Sequence, residues 1–254
     1  MEPKILFKYR PIDTVEQLIR VLDSINNNRI FFPTYKMLND PLESSGYVIE
    51  LEGYAGISIF RAIDEEDRFV KQRRQEYKIL SLTEDCFSPS MWAHYTNGFS
   101  GICIGYWKKD TFKSARQINY IHKPQKTNRI GEIGLVDGQL DKEIYESFFY
   151  KHSDWDYEKE WRIVSKQEEP YFNYNPDDLA CIIFGGNMSK ETRSHLVKNI
   201  TPRVPMYYSK NGYRSFSIKL LPLSYEMELN GAFPPFINDV NMLVENIQTN
   251  YQNA

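Results

Sequence analysis

The apolar residues of this chain come in short, broken runs, and their brevity limits what it can fold into more than any other feature. Ile5 to Tyr9, Lys78 to Leu82, Gly101 to Tyr106, Ile118 to Ile121 and Cys181 to Phe184 are β-prone, and turn residues or charges punctuate them. None approaches the ~20 apolar residues that a membrane-spanning helix requires. Short strands of this kind are stable only when they join a sheet covered by other elements.

Helical patterning falls between these runs. Pro11 ends the first, and Asp13 or Thr14 can cap a helix with apolar positions Val15, Leu18, Ile19, Leu22 and Ile25, which stops at Asn26-Asn27-Asn28. Arg29 to Pro33 reads as a second strand, followed by a loop through Asn39-Asp40-Pro41-Leu42-Glu43. Ser90 to Tyr95 reads as one helical turn before a left-handed position at Asn97-Gly98. Asp141 to Lys151 reads as an amphipathic helix, a strand is entered near Glu158, and Ser189 can cap a helix to about Asn199. Ser215 to Leu221 reads as a closing edge strand, and a terminal helix follows Pro235. The charged stretch Ser58 to Tyr77, with weak helical periodicity, reads as a solvated helix or excursion. Strands and helices do not alternate regularly, so a doubly wound parallel sheet is disfavoured. The expectation is a single α+β domain over residues 1–225, with a central mixed or antiparallel sheet flanked by helices, and a helical tail over 226–254.

Composition narrows the function classes. The chain has 254 residues and a formal charge of −3, from 31 Lys and Arg against 34 Asp and Glu. A protein held on nucleic acid by a global basic field is therefore not expected, although a local basic groove is compatible. Cys86, Cys103 and Cys181 are odd in number and set in apolar sequence, which reads as reduced core thiols. There is no CxxC, HExxH or GxGxxG, and His94, His122, His152 and His195 are scattered, so neither a metal site nor a Rossmann or P-loop nucleotide site is expected. With no apolar leader in MEPKILFKYRP, the expectation is a cytoplasmic protein without a membrane partner. Aromatic residues reach 15%, which suggests a ring-lined core or pocket.

Four segments could carry chemistry. In Glu158-Lys159-Glu160-Trp161-Arg162, strand alternation would put Glu158, Glu160 and Arg162 on one face. The plainer reading is a polar sheet face in which Arg162 pairs with the glutamates. The functional one is a carboxylate pair whose like charges raise one pKa and leave the other group ionised. In Met91-Trp92-Ala93-His94-Tyr95 the rings and His94 could pack the core or clamp a flat ligand. Gly98, Gly101 and Gly105 beside them would allow a backbone or a ligand to come close. Lys8-Tyr9-Arg10 could hold a phosphate and stack on a base, or end a surface strand. Asn39-Asp40 reads as an Asx-type turn before Pro41.

In this order, with Phe31-Phe32-Pro33, Leu80-Ser81-Leu82 and Gly101-Ile102-Cys103-Ile104-Gly105-Tyr106, these segments resemble the bacterial domain of unknown function 2971 family, from about residue 5 to about residue 221. A more distant similarity is to the ADP-ribosyltransferase superfamily, whose opening strand–helix–strand matches Lys8-Tyr9-Arg10 and the helix from Thr14. Its late-strand catalytic glutamate falls on Glu160, with Glu158 as the upstream member of the ExE pattern. The Met91 to Tyr95 segment departs from that superfamily's STS pattern. The resemblance implies an ADP-ribosyltransferase-like enzyme using NAD, an effector in bacterial anti-phage defence. Catalytic roles then fall to Glu160, Glu158 and His94, and NAD binding to Lys8, Tyr9, Arg10, Trp92, Tyr95 and Arg162, with a nucleic-acid or protein acceptor and no metal. The competing expectations are a non-enzymatic nucleotide- or protein-binding module in a defence system, and a metal-independent nuclease or phosphodiesterase using His94 with Lys8.

Overall fold

Thr14 opens the first helix in the way its spacing predicts. Its side chain accepts from Gln17 N at 3.2 Å while the Gln17 side chain accepts from Thr14 N at 3.3 Å, a reciprocal cap that satisfies two orphan donors. The computed structural model describes residues 2–40, 42–49, 68–126, 130, 138–211, 216–226 and 236–251. Its strands are β1 (Ile5–Arg10), β2 (Arg29–Phe31), β3 (Tyr47–Val48), β4 (Lys78–Thr83), β5 (Ile102–Trp107), β6 (Arg116–Gln117), β7 (Asn119–Ile121), β8 (Gln125–Lys126), β9 (Tyr150–His152), β10 (Glu160–Ser165), β11 (Tyr171–Asn173), β12 (Leu179–Phe184), β13 (Met206–Asn211) and β14 (Ile218–Pro222). The α-helices named here are α1 (Val15–Asn26), α2 (Pro89–Tyr95), α3 (Gln139–Ser147), α4 (Lys190–Asn199) and α5 (Val240–Tyr251).

Eight strands form one mixed sheet in the order β14-β13-β12-β5-β1-β4-β10-β6, parallel only between β12 and β13. The α+β class with a mixed central sheet is thus as expected. On one face, Val21 and Ile25 of α1 and Leu196 of α4 pack on Leu6, Ile104, Ile182 and Phe184. On the other, Met91 and Trp92 of α2 and Leu243, Val244 and Ile247 of α5 cover Phe7, Cys103, Ile183 and Leu220. The C-terminal helix therefore contributes to the core of the sheet rather than trailing from it. Around α3, Ile144 and Phe148 pack with Ile79 and Val164 of β4 and β10.

Several boundaries depart from the sequence reading. The buried stripe of α1 is Leu18, Val21, Leu22 and Ile25, at helical spacing, whereas Val15 and Ile19 are exposed. The helix expected to run to Lys151 stops at Ser147, and Lys151 sits in β9. Glu158 ends a 3₁₀ turn, Lys159 takes a left-handed φ of 44°, and β10 starts only at Glu160. Of the charged stretch, residues 58–67 lie outside the described residues and 68–74 are helical, one of the two forms expected, but Val70 and Arg74 there are buried rather than solvated.

The sheet is not continuous in pairing. β1 shares six register pairs with β5, and β10 six with β4, but β1 and β4 meet only at Phe7 and Thr83 before parting. The glycine-flanked strand β5 supports the β1 side of that parting. A Cβ on Gly101 would fall 2.2 Å from the Arg10 carbonyl oxygen, and one on Gly105 would fall 2.7 Å from Cys181 Sγ. What approaches these two glycines is the protein itself, not a flat ligand. Gly101→Ala should therefore lower stability by about 1–3 kcal/mol, read as a fall in thermal midpoint; an unchanged midpoint would contradict the close approach.

Candidate functional site

The parting of β1 and β4 opens a cavity of about 420 Å³. Strand alternation sends Lys8 and Arg10 to the face of Leu6, while the single pair Phe7–Thr83 sets Glu160 and Arg162 on the face of Phe7. The cavity spans the gap, so residues of both faces line it. His94 and Tyr95 come from α2, Lys151 from β9, Glu158 from the 3₁₀ turn before β10, and Glu43 from the loop after β2.

The Arg162 guanidinium organises the acidic end. All five of its N–H groups are used: Nε and Nη2 donate to Glu160 at 2.6 and 3.1 Å, Nη1 and Nη2 to Glu43 at 2.6 and 2.9 Å, and Nη1 also to the Phe148 carbonyl at 2.7 Å. Lys151 Nζ bridges Glu158 at 2.5 Å and Glu160 at 3.1 Å, and the Tyr95 hydroxyl donates to Glu158 at 2.5 Å. All of these charged residues are buried. Three carboxyl groups thus share two cations.

That shortage separates the two glutamates. Burial alone would lift the Glu160 carboxyl, but Arg162 and Lys151 beside it hold it well below the usual carboxylate range. Glu158, with Lys151 and Tyr95 but no arginine, is raised by burial and by the charge of Glu160. The Tyr95 phenol is raised by burial and by Glu158. The two neighbouring carboxyl groups are thus pushed in opposite directions, Glu160 towards the anion and Glu158 towards the protonated form, the kind of separation that acid–base chemistry uses.

At the other end, Lys8 Nζ donates to the Ser81 carbonyl at 2.6 Å and has no ion pair with a described residue. Burial, with Arg10 nearby, brings its pKa down to about 7. Arg10 makes no hydrogen bond or ion pair with any described residue. His94 stands at the rim, exposed, with Nδ1 3.3 Å from the Tyr157 hydroxyl.

The structure thus brings together Lys8, Arg10, His94, Tyr95, Glu158, Glu160 and Arg162. It sets two other candidates apart. Trp92 is fully buried, donates from Nε1 to the Cys86 carbonyl at 2.8 Å, stacks on Phe99 and does not line the cavity, so its ring packs the core and is not offered to a ligand. Tyr9 borders the cavity, but its ring meets Trp92 edge-on and its hydroxyl donates to the Asp85 carbonyl. Arg162, counted among ligand-binding residues, has no free donor and acts as a clamp instead.

Two members escaped the sequence reading. Lys151 was assigned to a helix, and no local pattern marks a strand lysine as a bridge between glutamates. Glu43 stood in a quoted segment whose visible logic was the turn; there Asp40 Oδ1 accepts from Leu42 N at 2.8 Å, as expected of an Asx turn, while Pro41 lies outside the described residues.

A family model described as a protein of unknown function, DUF2971, matches residues 91–163, the stretch from α2 into β10. It contains Tyr95, Lys151, Glu158, Glu160 and Arg162 but neither Lys8, Arg10 nor Glu43. No curated protein and no solved structure matches the chain. Among the described residues no helix is long and apolar enough to cross a membrane.

Two outcomes follow from the electrostatics. Arg162→Met leaves three buried carboxyl groups with one cation and should cost about 3–5 kcal/mol of stability, measured by urea unfolding; a loss under about 1 kcal/mol would show the clamp to be dispensable. Lys8 binds its proton up to about pH 7 in the folded state and to its ordinary 10.5 when unfolded. Unfolding between those values takes up a proton, so stability should rise with pH there, by at most about 1.4 kcal/mol per unit. Lys8→Met should lack that slope, gaining on the wild type most at and below pH 7; parallel profiles for the two proteins would refute the depressed lysine.

Proposed function

We propose that the cleft binds NAD⁺ and transfers its ADP-ribosyl group to a nucleic-acid or protein acceptor. The observation that carries this reading is the convergence, on one cavity at a parted sheet, of two neighbouring glutamates, a tyrosine and an arginine without a partner among the described residues, drawn from distant parts of the chain. A volume of about 420 Å³ suits a nucleotide-sized group. NAD⁺ supplies a glycosidic bond whose leaving group is a neutral nicotinamide, so positive charge develops at the ribosyl carbon as that bond breaks. Glu160, anionic and held by Arg162 and Lys151, presents fixed negative charge towards such a centre without reorganising. Glu158 takes the proton that the acceptor's nucleophilic oxygen or nitrogen releases as it bonds to the ribosyl carbon, and Lys151 and Tyr95 fix its orientation. Arg10 supplies a free guanidinium fork for phosphate, and His94 stands at the rim where an acceptor would enter.

The clamp favours a second reading. Glu160 has both oxygens engaged by Arg162 and Lys151, which is also what a purely structural ion-pair network in a binding module would contain. Glu160→Gln would unsettle that network as well as chemistry, so Glu158→Gln separates the readings better: it keeps the shape, its amide oxygen can still accept from Lys151, and its NH₂ group can donate to the Tyr95 oxygen with the hydroxyl turned round. Calorimetric titration with NAD⁺ should give saturable binding to the Glu158→Gln protein, while release of nicotinamide by the wild type falls at least a hundredfold in that variant. Binding without release in either protein favours the module; no binding of NAD⁺ to either removes the NAD reading.

A further inference from the structure

A second cavity of about 350 Å³ lies against the first, on the α1 side, and the two share Arg10, Pro11, Arg20, Phe31 and Met37. Its charge is lopsided. Arg10, Arg20 and Arg29 line it against a single carboxylate, Asp23. Asp23 is already taken: Arg29 Nε and Nη2 donate to its two oxygens at 2.8 and 2.7 Å. That leaves the charges of Arg10 and Arg20, two positive, without a partner carboxylate among the described residues that line the cavity, in a chain whose net charge is −3.

Neither of these arginines has a hydrogen bond or ion pair with a described residue. Burial disfavours the charged form of Arg10, and Arg20 is close enough to disfavour it further. Glu16, a turn before Arg20 on α1, feels its charge but forms no ion pair with it. Gln17 adds a neutral donor: its Oε1 is spent on the backbone of Asp13 and Thr14, so its NH₂ group is what remains to offer. A buried guanidinium such as that of Arg10, with the charge of Arg20 acting on it and no partner among the described residues, is costly unless an anion completes it. Phosphate, with several acceptor oxygens and about two negative charges as a monoester, matches both the charge and the planar donors.

We propose that Arg10 and Arg20 bind a phosphate group at the junction of the two cavities, and that the ligand continues past it into the second cavity. Resting on the reading of the first cavity as a nucleotide site, this makes the natural ligand a phosphorylated compound longer than the first cavity, with Arg20 as the residue that selects for the phosphate. The apolar wall of Phe31, Met37 and Ile104 then faces the portion beyond the phosphate.

Inorganic pyrophosphate, titrated calorimetrically into the full-length protein, probes the site without assuming the ligand. Saturable binding is expected, weakened about tenfold or more by Arg20→Ala and unchanged by Lys36→Ala, which removes an exposed charge outside both cavities. Arg20 is exposed on α1 and alanine favours helix, so the variant should keep its fold; Arg20→Lys, retaining charge but not the fork, should bind between the two. Absence of pyrophosphate binding, or equal weakening by Arg20→Ala and Lys36→Ala, would overturn the site. A parallel NAD⁺ titration separates the two proposals. Arg20-dependent pyrophosphate binding without NAD⁺ binding retains the phosphate site and removes the NAD reading, whereas NAD⁺ binding indifferent to Arg20 does the reverse.

Discussion

One guanidinium holds the acidic half of this molecule together. Arg162 is buried in the sheet, and a buried arginine is tolerable only if every donor finds an acceptor. Here the five N–H groups reach Glu160 on its own strand, Glu43 on the loop after β2, and the Phe148 carbonyl at the end of α3. The strand, the end of α3 and a loop 119 residues away along the chain are thereby set at fixed distances. The same contacts orient Glu160, whose remaining capacity is met by Lys151, and Lys151 in turn reaches Glu158. The position of each carboxylate is a consequence of satisfying one cation.

The second constraint is the parting of β1 from β4. A continuous ladder there would fill the space between Lys8 and Ser81 with backbone pairing and leave no cavity. The pairing stops after Phe7–Thr83, and β5, with Gly101 against the Arg10 backbone, holds β1 on its far side. The charged groups then face a gap with Glu160 and Arg162 towards one face and Lys8 and Arg10 towards the other.

Much of the architecture was readable from local pattern. The cap at Thr14, the stop at Asn26, the left-handed positions at Asn97 and Gly98, the strand ending at Phe184 and the cap at Ser189 all depend on neighbours within a few residues. The errors share a cause. Val15 and Ile19 are apolar and helical yet face solvent, because which stripe of α1 is buried depends on the sheet beneath it. Glu158 looked like a strand residue because alternation continues back through Lys159, but the left-handed turn at Lys159 interrupts it. Trp92 looked like a ligand clamp because rings near glycines suit both roles, and only the packing of Phe99 and Tyr9 decides between them.

The sequence by itself determined the α+β class, the short strands, the helix caps and the presence of Glu158, Glu160 and Arg162 within one short segment, since these follow from periodicity, turn chemistry and proximity along the chain. Tertiary structure decided which charges meet. Glu43 is 119 residues from Arg162 and Lys8 is 73 from Ser81, and no local rule encodes such pairings. The opposite pKa directions of the two glutamates, the lack of partners for Arg10 and Arg20 among the described residues, and the cavity they face all depend on burial and on neighbours brought in by the fold, because electrostatic energies are set by distance and solvent access in space rather than by spacing in sequence.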